Sequence, residues 1–250
     1  MSSEVEKKNE GTDVYSILRD DIICLRLRPG TFFSIKDICE IYGVGRSPGR
    51  DALIRLAQEG LVTFLPQRGT MISTLDLERI DNERFIRRSI EENIMRDFVA
   101  IFSPSVILEL EECIRDQKEC LKEKDARRFF ALDDQFHRVF YKETDRLYCA
   151  DVVEKECGNY KRLRLLSLMV EEKAMSNAVE EHEAMVSTLS ARENLDRLMF
   201  WFSLHLDRIQ TQERTIVKRF PELFSNGTVQ DRRDNSDLRK DFLLSIRSRG

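Results

Sequence analysis

No apolar run in this 250-residue sequence reaches the roughly 20 residues needed to cross a bilayer, so no membrane partner is expected. The first eleven residues are polar and lack the apolar core of a signal peptide, which predicts a cytoplasmic chain with a disordered start. Cys24, Cys39, Cys113, Cys120, Cys149 and Cys157 contain no Cys-x-x-Cys pair. They read as reduced thiols in helical patterns rather than as disulfides or a thiolate zinc site. A Gly-rich phosphate loop, an activated nucleophile and a second metal motif are also missing, and the expectation is that the protein is not an enzyme. A strong basic field is absent as well. The net charge is −4; residues 12–75 carry eight Lys or Arg against seven Asp or Glu. A non-specific nucleic-acid coat would need more, so any DNA affinity must come from a few placed contacts, doubled in a dimer that reads two half-sites.

What is present is concentrated between Ser34 and Ser73. Ser34 reads as the N-cap of a short helix, with Asp37 at the third position after it and Ile35, Ile38 and Ile41 on its apolar side. Tyr42-Gly43 ends that helix, since glycine tolerates a left-handed backbone. Ser47 reads as the cap of a second helix with Pro48 at its first position, and Ala52, Leu53, Leu56 and Ala57 form the inward face. After Glu59-Gly60, Leu61–Leu65 reads as a strand, Pro66-Gln67-Arg68-Gly69 as a turn and Thr70–Ser73 as the return strand. Helix, turn, helix and hairpin describe a winged helix-turn-helix, whose second helix enters the DNA major groove by its N-terminal end. Arg46 and Arg50 lie one turn apart on that helix, and arginine forks match guanine O6 and N7. Ser34, Arg46, Ser47 and Arg50, with Arg68 and Gly69 on the wing, are the candidate contacts to double-stranded operator DNA.

Upstream, Val14, Ile17, Leu18, Ile22 and Ile23 predict a helix over 12–26. Thr74–Asp81 reads as a short connection. Beyond it almost everything has helical spacing: about 81–101, 105–122, 126–143, 146–171, 175–190 and 193–218. Strand alternation is missing after residue 73, so this part is an all-helical antiparallel bundle of six or so helices. Pro221 ends the pattern; 225–236 reads as loose and Leu238–Ile246 as a short extra helix. The predicted fold is mainly α. Its units are a reader at 12–75, a helical domain at 82–218 and a tail at 219–250.

All three histidines fall in the helical domain. Asp133 and His137 are four apart on one helix and share a face. His182 and His205 lie on two later helices among apolar neighbours. One carboxylate and three imidazoles from three facing helices suit a divalent transition metal in a bundle core. Satisfied helix histidines without a metal are the plain alternative. Arg88, Arg162 and Arg164 are candidate partners for an acidic ligand, although solvated helix faces explain them equally well.

The set Val44-Gly45-Arg46-Ser47-Pro48-Gly49-Arg50-Asp51-Ala52-Leu53, Leu56, Glu59-Gly60-Leu61-Val62 and Pro66-Gln67-Arg68-Gly69 resembles the GntR family of bacterial regulators, as does Leu27-Arg28-Pro29-Gly30 upstream. Gly45, Gly49 and Asp51 depart from the family's usual residues, and Gly49 reads as a side chain lost near the DNA. Asp133-Asp134-Gln135-Phe136-His137, His182 and His205-Leu206, with Arg87-Arg88-Ser89-Ile90-Glu91, look like the FCD ligand-sensing domain of the FadR-like subfamily. That resemblance implies a metal (zinc, nickel or manganese) on Asp133, His137, His182 and His205, with Asp134 not a ligand. It also implies a small carboxylic acid as effector, a homodimer, and a transcriptional regulator that most often represses. A regulator whose metal is structural or is itself the signal, and a metal-dependent enzyme, are the alternatives.

Overall fold

The computed structural model describes residues 13–192 and 194–225. The readings of 1–11, of 226–236 and of Leu238–Ile246 lie outside them. Helix α1, Val14–Ile23, is capped by Asp13, whose carboxylate accepts from Tyr15 N. Helix α2, Ile35–Tyr42, starts with a reciprocal capping box between Ser34 and Asp37 and ends at Gly43, which takes a left-handed φ of 66°. Helix α3, Arg46–Gln58, follows across Val44. It begins two residues earlier than expected: Gly45 is the N-cap, without a side-chain hydrogen bond, so Ser47 and Pro48 are its second and third residues. Proline is tolerated throughout this first turn, because none of its N–H groups has an intrahelical acceptor.

The wing has three strands rather than two. Strand β1, Phe32–Phe33, pairs antiparallel with β3, Gly69–Ile72, which pairs with β2, Val62–Leu65. The two-residue β1 was invisible in the sequence because alternation cannot show in so short a run. It matters because Phe33, buried, carries the sheet into the core formed by Leu18, Ile22, Ile38, Leu53 and Leu56.

The bundle contains α4 (Leu77–Ile101), α5 (Ser105–Glu123), α6 (Ala126–Glu143), α7 (Leu147–Glu156), α8 (Gly158–Val170), α9 (Ala174–Ser190) and α10 (Leu195–Arg219). Two differences from expectation have physical causes. The connection predicted to reach Asp81 is shorter, because Asp76 caps α4 by accepting from Glu78 N and Arg79 N. The single helix expected over 146–171 is two, broken at Cys157. A Cβ on Gly158 would stand 3.0 Å from Leu61 Cδ2 and 3.4 Å from Ile23 Cδ1, so the break lies where the reader presses on the bundle.

Reader and bundle share packing. Phe130 of α6 and Leu165 of α8 belong to the reader's core cluster. Arg19 pairs with Glu154 at 2.8 Å, Arg127 Nε donates to Cys24 O, and the fully buried Arg162 donates to Ser73 O at 2.6 Å. The tail expected from 219 begins with an ordered turn. A 3₁₀ turn at Pro221–Leu223 returns the chain to the linker, Leu75 N donates to Leu223 O, and Phe224 is 1% exposed.

Candidate metal centre and nucleic-acid interface

On α3, Arg46, Ser47, Arg50 and Ile54 are exposed, and Gly49, Ala52, Leu53 and Leu56 point inward. Arg68 and Gly69 occupy the exposed wing tip. Gly69 has φ 95°, and a Cβ there would stand 3.2 Å from Phe33 O, so glycine is required by the hairpin itself. Ser34, exposed at the start of α2, also caps that helix: its hydroxyl donates to Asp37 Oδ2 at 2.9 Å and accepts from Asp37 N. Gly49 does not face outward as the sequence suggested. It is buried against Ile35, Ile38 and Cys39 of α2.

The second site is built by three helices. α6 presents Asp133 and His137 one turn apart, α9 presents His182, and α10 presents His205. Their candidate ligand atoms all lie within 4.8 Å of one another. His137 Nε2 is 3.1 Å from His205 Nε2; Asp133 Oδ1 is 3.5 Å from His182 Nε2 and 3.7 Å from His205 Nε2. Ligands held about 2.0–2.1 Å from one zinc ion stand roughly 3 Å apart, so these separations fit one small cation.

The outer nitrogens say which lone pairs face inward. His205 Nδ1 meets Glu181 Oε2 at 2.9 Å and His182 Nδ1 meets Gln117 Oε1 at 2.8 Å. Both partners accept, which puts the ring protons on Nδ1 and leaves Nε2 bare. His182 Nε2 is fully buried without a hydrogen bond. His137 Nδ1 lies 3.0 Å from Glu91 Oε2, close but off-line for a hydrogen bond. Bare imidazole nitrogens converging on a carboxylate repel one another until a cation fills the centre. Burial pushes His182 down to about 3 and His205 well below the ordinary histidine range, the neighbouring imidazoles adding to it. Both rings are therefore neutral, as ligation demands. Burial alone would raise the Asp133 carboxyl, but the Arg164 guanidinium beside it holds it far below the usual range.

An arginine backs each carboxylate. Arg164 pairs with Asp133, Arg87 with Glu91 at 2.8 Å, and Arg208 with Glu181. Those three arginines, with Asp133, His205 and Tyr160, line a cavity of about 50 Å³ beside the cluster. That is several times what one water needs. A larger cavity of about 270 Å³, on the His137 side of α6, also reaches Arg87 and Arg164.

Of the three arginines read from the sequence, only Arg164 reaches these cavities. Arg162 is buried against Ser73 O and Asn159 Oδ1, tying α8 to the linker. Arg88 lies on the outer side of α4, bonded to Glu92 at 2.8 Å and Asp207 at 2.5 Å. Asp134, set aside as a ligand, pairs with Lys161 and Arg164. Glu91, Gln117, Glu181, Arg87 and Arg208 were missed as site residues. Glu91 follows Arg87 by one turn, a readable signal. Glu181 adjoins His182 in sequence but serves His205 across the helix pair, which no linear spacing shows.

Comparison with known proteins matches two family models to separate stretches of the chain. Residues 11–72 match the model described as "Bacterial regulatory proteins, gntR family", and residues 84–206 match that of the FCD domain. The chain is 30% identical over 213 residues to the HTH-type transcriptional repressor RspR of Escherichia coli K12, covering 85% of this chain and 92% of that protein. It is 24% identical over 214 residues to the gluconate operon transcriptional repressor of Bacillus subtilis, covering 84% and 86%. Among solved structures, E. coli McbR/YncC superposes with a TM-score of 0.68 at 15% identity, covering 83% of this chain and 96% of that one. A putative GntR regulator from Rhodococcus sp. RHA1 gives 0.63 at 22%, covering 82% and 96%.

Proposed function

The chain belongs to the GntR family of bacterial transcriptional regulators, with an FCD domain behind its reader, and we propose that it is a repressor whose operator affinity is set by a small carboxylate taken up beside a divalent metal. The observation that carries the metal is the buried His182 Nε2 without a hydrogen bond, facing Asp133, with its other nitrogen fixed by Gln117. Asp133, His137, His182 and His205 would hold the ion. A bound zinc, nickel or manganese ion would supply a Lewis-acidic position for one carboxylate oxygen.

The protein's own groups do the rest. Arg87, Arg164 and Arg208 line the adjacent cavity and would receive the anion. Each is already paired with a carboxylate of the cluster, so an incoming anion competes for arginine and shifts charge towards the metal. The same helices lead to the reader. α6 carries Phe130 into the reader core three residues before Asp133, and α8 carries Leu165 there next to Arg164. Ligand binding and DNA binding are then linked: effector favours an α6–α8 position that fits the operator worse, and operator weakens effector binding equally. Arg46, Ser47 and Arg50 would enter the major groove, with Arg68 and Gly69 beside it, and two readers in a homodimer would meet two half-sites.

Elemental analysis of the untagged protein and of its His182→Ala variant is the first test. About one divalent metal per parent chain and little in the variant is expected. A thermal-shift screen with acetate, a dicarboxylate and a hydroxy acid follows, on loaded and stripped protein. Stabilisation confined to the loaded form, and lost in Arg208→Met, supports the effector site. No metal in either protein after soaking would sink the sensor reading, while operator binding would be unaffected by that result.

A further inference from the structure

After α10 the chain returns to its own interdomain linker. Phe220 closes that helix by donating its N–H to Ile216 O, and Pro221, which cannot extend a helical ladder, starts the 3₁₀ turn. Leu223 O then accepts from Leu75 N at 2.8 Å and Ser225 N donates to Leu75 O at 3.0 Å, so one segment takes both backbone groups of Leu75. The side chains follow: Leu75 and Phe224 share a core cluster with Ile80, Tyr160, Leu163 and Ile216. The segment also reaches the reader. Glu222 pairs with Arg28 at 3.0 Å, and Leu25 packs against this cluster as well as against the reader core. Leu25 has a left-handed φ of 51°, a strained conformation for leucine that only firm surroundings sustain. Two residues before Leu75, Ser73 O is held by the buried Arg162, whose other partner is the neutral Asn159 Oδ1. Burying a guanidinium against neutral acceptors costs more than burying an apolar side chain; what this arginine secures is the linker.

We propose that residues 221–225 are a strap that fixes the orientation of the reader on the bundle, which makes Phe224 and Leu75 positioning residues for operator recognition. The proposal rests on the reading that two readers meet two half-sites, and it names what sets the separation they accept. The strap lies outside α3 and the wing, so it supplies no base contact and acts through geometry. α6 and α8 hold the reader through Phe130 and Leu165; the strap adds a second hold, at the linker and at Arg28. One hold leaves a hinge, whereas two fix an orientation. Paired readers so fixed present their α3 helices at one separation, and a half-site displaced by half a turn of duplex faces away from its reader. With the strap released, residues 73–76 between β3 and α4 regain rotation. The pair then tolerates several separations, each bound less tightly because the orientation must be ordered on binding.

The test uses the metal-loaded full chain and a duplex that it enriches from a random pool. Affinity is measured on that duplex, on copies with base pairs inserted between the half-sites, and on a copy with one half-site scrambled. In the parent, inserting about half a helical turn should weaken binding about tenfold or more. Two variants open the strap: Phe224→Ala, and Ser225→Pro, which removes the N–H given to Leu75 O. Phe224 has ψ 148°, which accommodates a following proline. In both variants the spacing penalty should fall to about threefold or less, with binding to the single half-site within about twofold of the parent. Phe224→Leu should restore the parent's profile. A variant that loses all duplexes alike, with the spacing penalty intact, is merely destabilised and overturns the proposal, as does an unchanged profile in folded variants. Hydrogen exchange on the parent serves if the variants do not fold: Leu75 and Ser225 amides as slow as those of β3 support the strap, and fast ones overturn it. A parent that enriches paired half-sites with a profile no variant alters sinks the strap alone. A parent that enriches no duplex, or only single half-sites, sinks the two-reader reading and the strap with it.

Discussion

A Cβ added to Gly49 would stand 3.1 Å from Ile35 Cδ1 and 3.5 Å from Ile38 Cγ2. Glycine inside a helix costs about 1 kcal/mol relative to alanine, and here it permits close packing of α3 on α2. Gly49→Ala should be near neutral, because the half-buried Ile35 can swing its terminal methyl. Gly49→Val should destabilise by about 1–3 kcal/mol through overpacking, read as a lower urea midpoint, while Arg50→Ala should cost operator affinity with stability unchanged. Equal losses from both in DNA binding, with no change in the urea midpoint, would place Gly49 at the DNA after all. The cysteines allow a second check. Burial, with Asp133 for Cys113 and Glu83 for Cys157, pushes both thiols up to about 12. At pH 8 that leaves about one thiolate in 10⁴. The half-buried Cys39 and Cys149 should react with a thiol reagent well before Cys113 and Cys157.

Among the elements, α6 connects most. It sends Phe130 to the reader, Asp133 and His137 to the candidate metal, and Phe136 and Phe140 to the bundle core. Phe130→Ala should cost about 3–5 kcal/mol if the site does not collapse. Its metal content should match the parent, while the ratio of operator affinities with and without a saturating carboxylate should fall towards one. An unchanged ratio would show that coupling runs elsewhere, the linker strap of Leu75 and Phe224 being the other route. How far such an element could be read from sequence depends on whether its signal is local. The cap at Asp125, the Asp133/His137 spacing and the apolar stripe of α6 are local, and the helix bounds of 126–143 agree with the structure. The packing at the α7–α8 break is not local, since a Cβ on Gly158 would meet Leu61 and Ile23, which arrive from a hundred or so residues away.

For the whole molecule, the modest charge of the reader has a measurable consequence. If Arg46, Arg50 and Arg68 supply the phosphate and groove cations, two readers bring about six, and log affinity should fall with log salt at a slope of about −5. A slope near −10 would require cations from the bundle or from residues beyond the reader. The same shortage explains why regulation can be effective: with few contacts holding the operator, a shift worth 1–3 kcal/mol in reader placement changes affinity 5- to 150-fold.

By itself the sequence determined the kinds of element, the winged reader, the helical bundle and the shared face of Asp133 and His137, because caps, periodicity and i, i+4 spacing act within one or two turns. Tertiary structure alone decided what surrounds them. It assigned Glu91, Gln117 and Glu181 to the imidazoles and an arginine to each carboxylate. It also turned Arg88 outward, buried Arg162 under the linker, and placed Gly49 against α2 rather than towards DNA. Each of those outcomes depends on which helix lies next to which, and hydrogen-bond reach across a packed interface leaves no period in the chain.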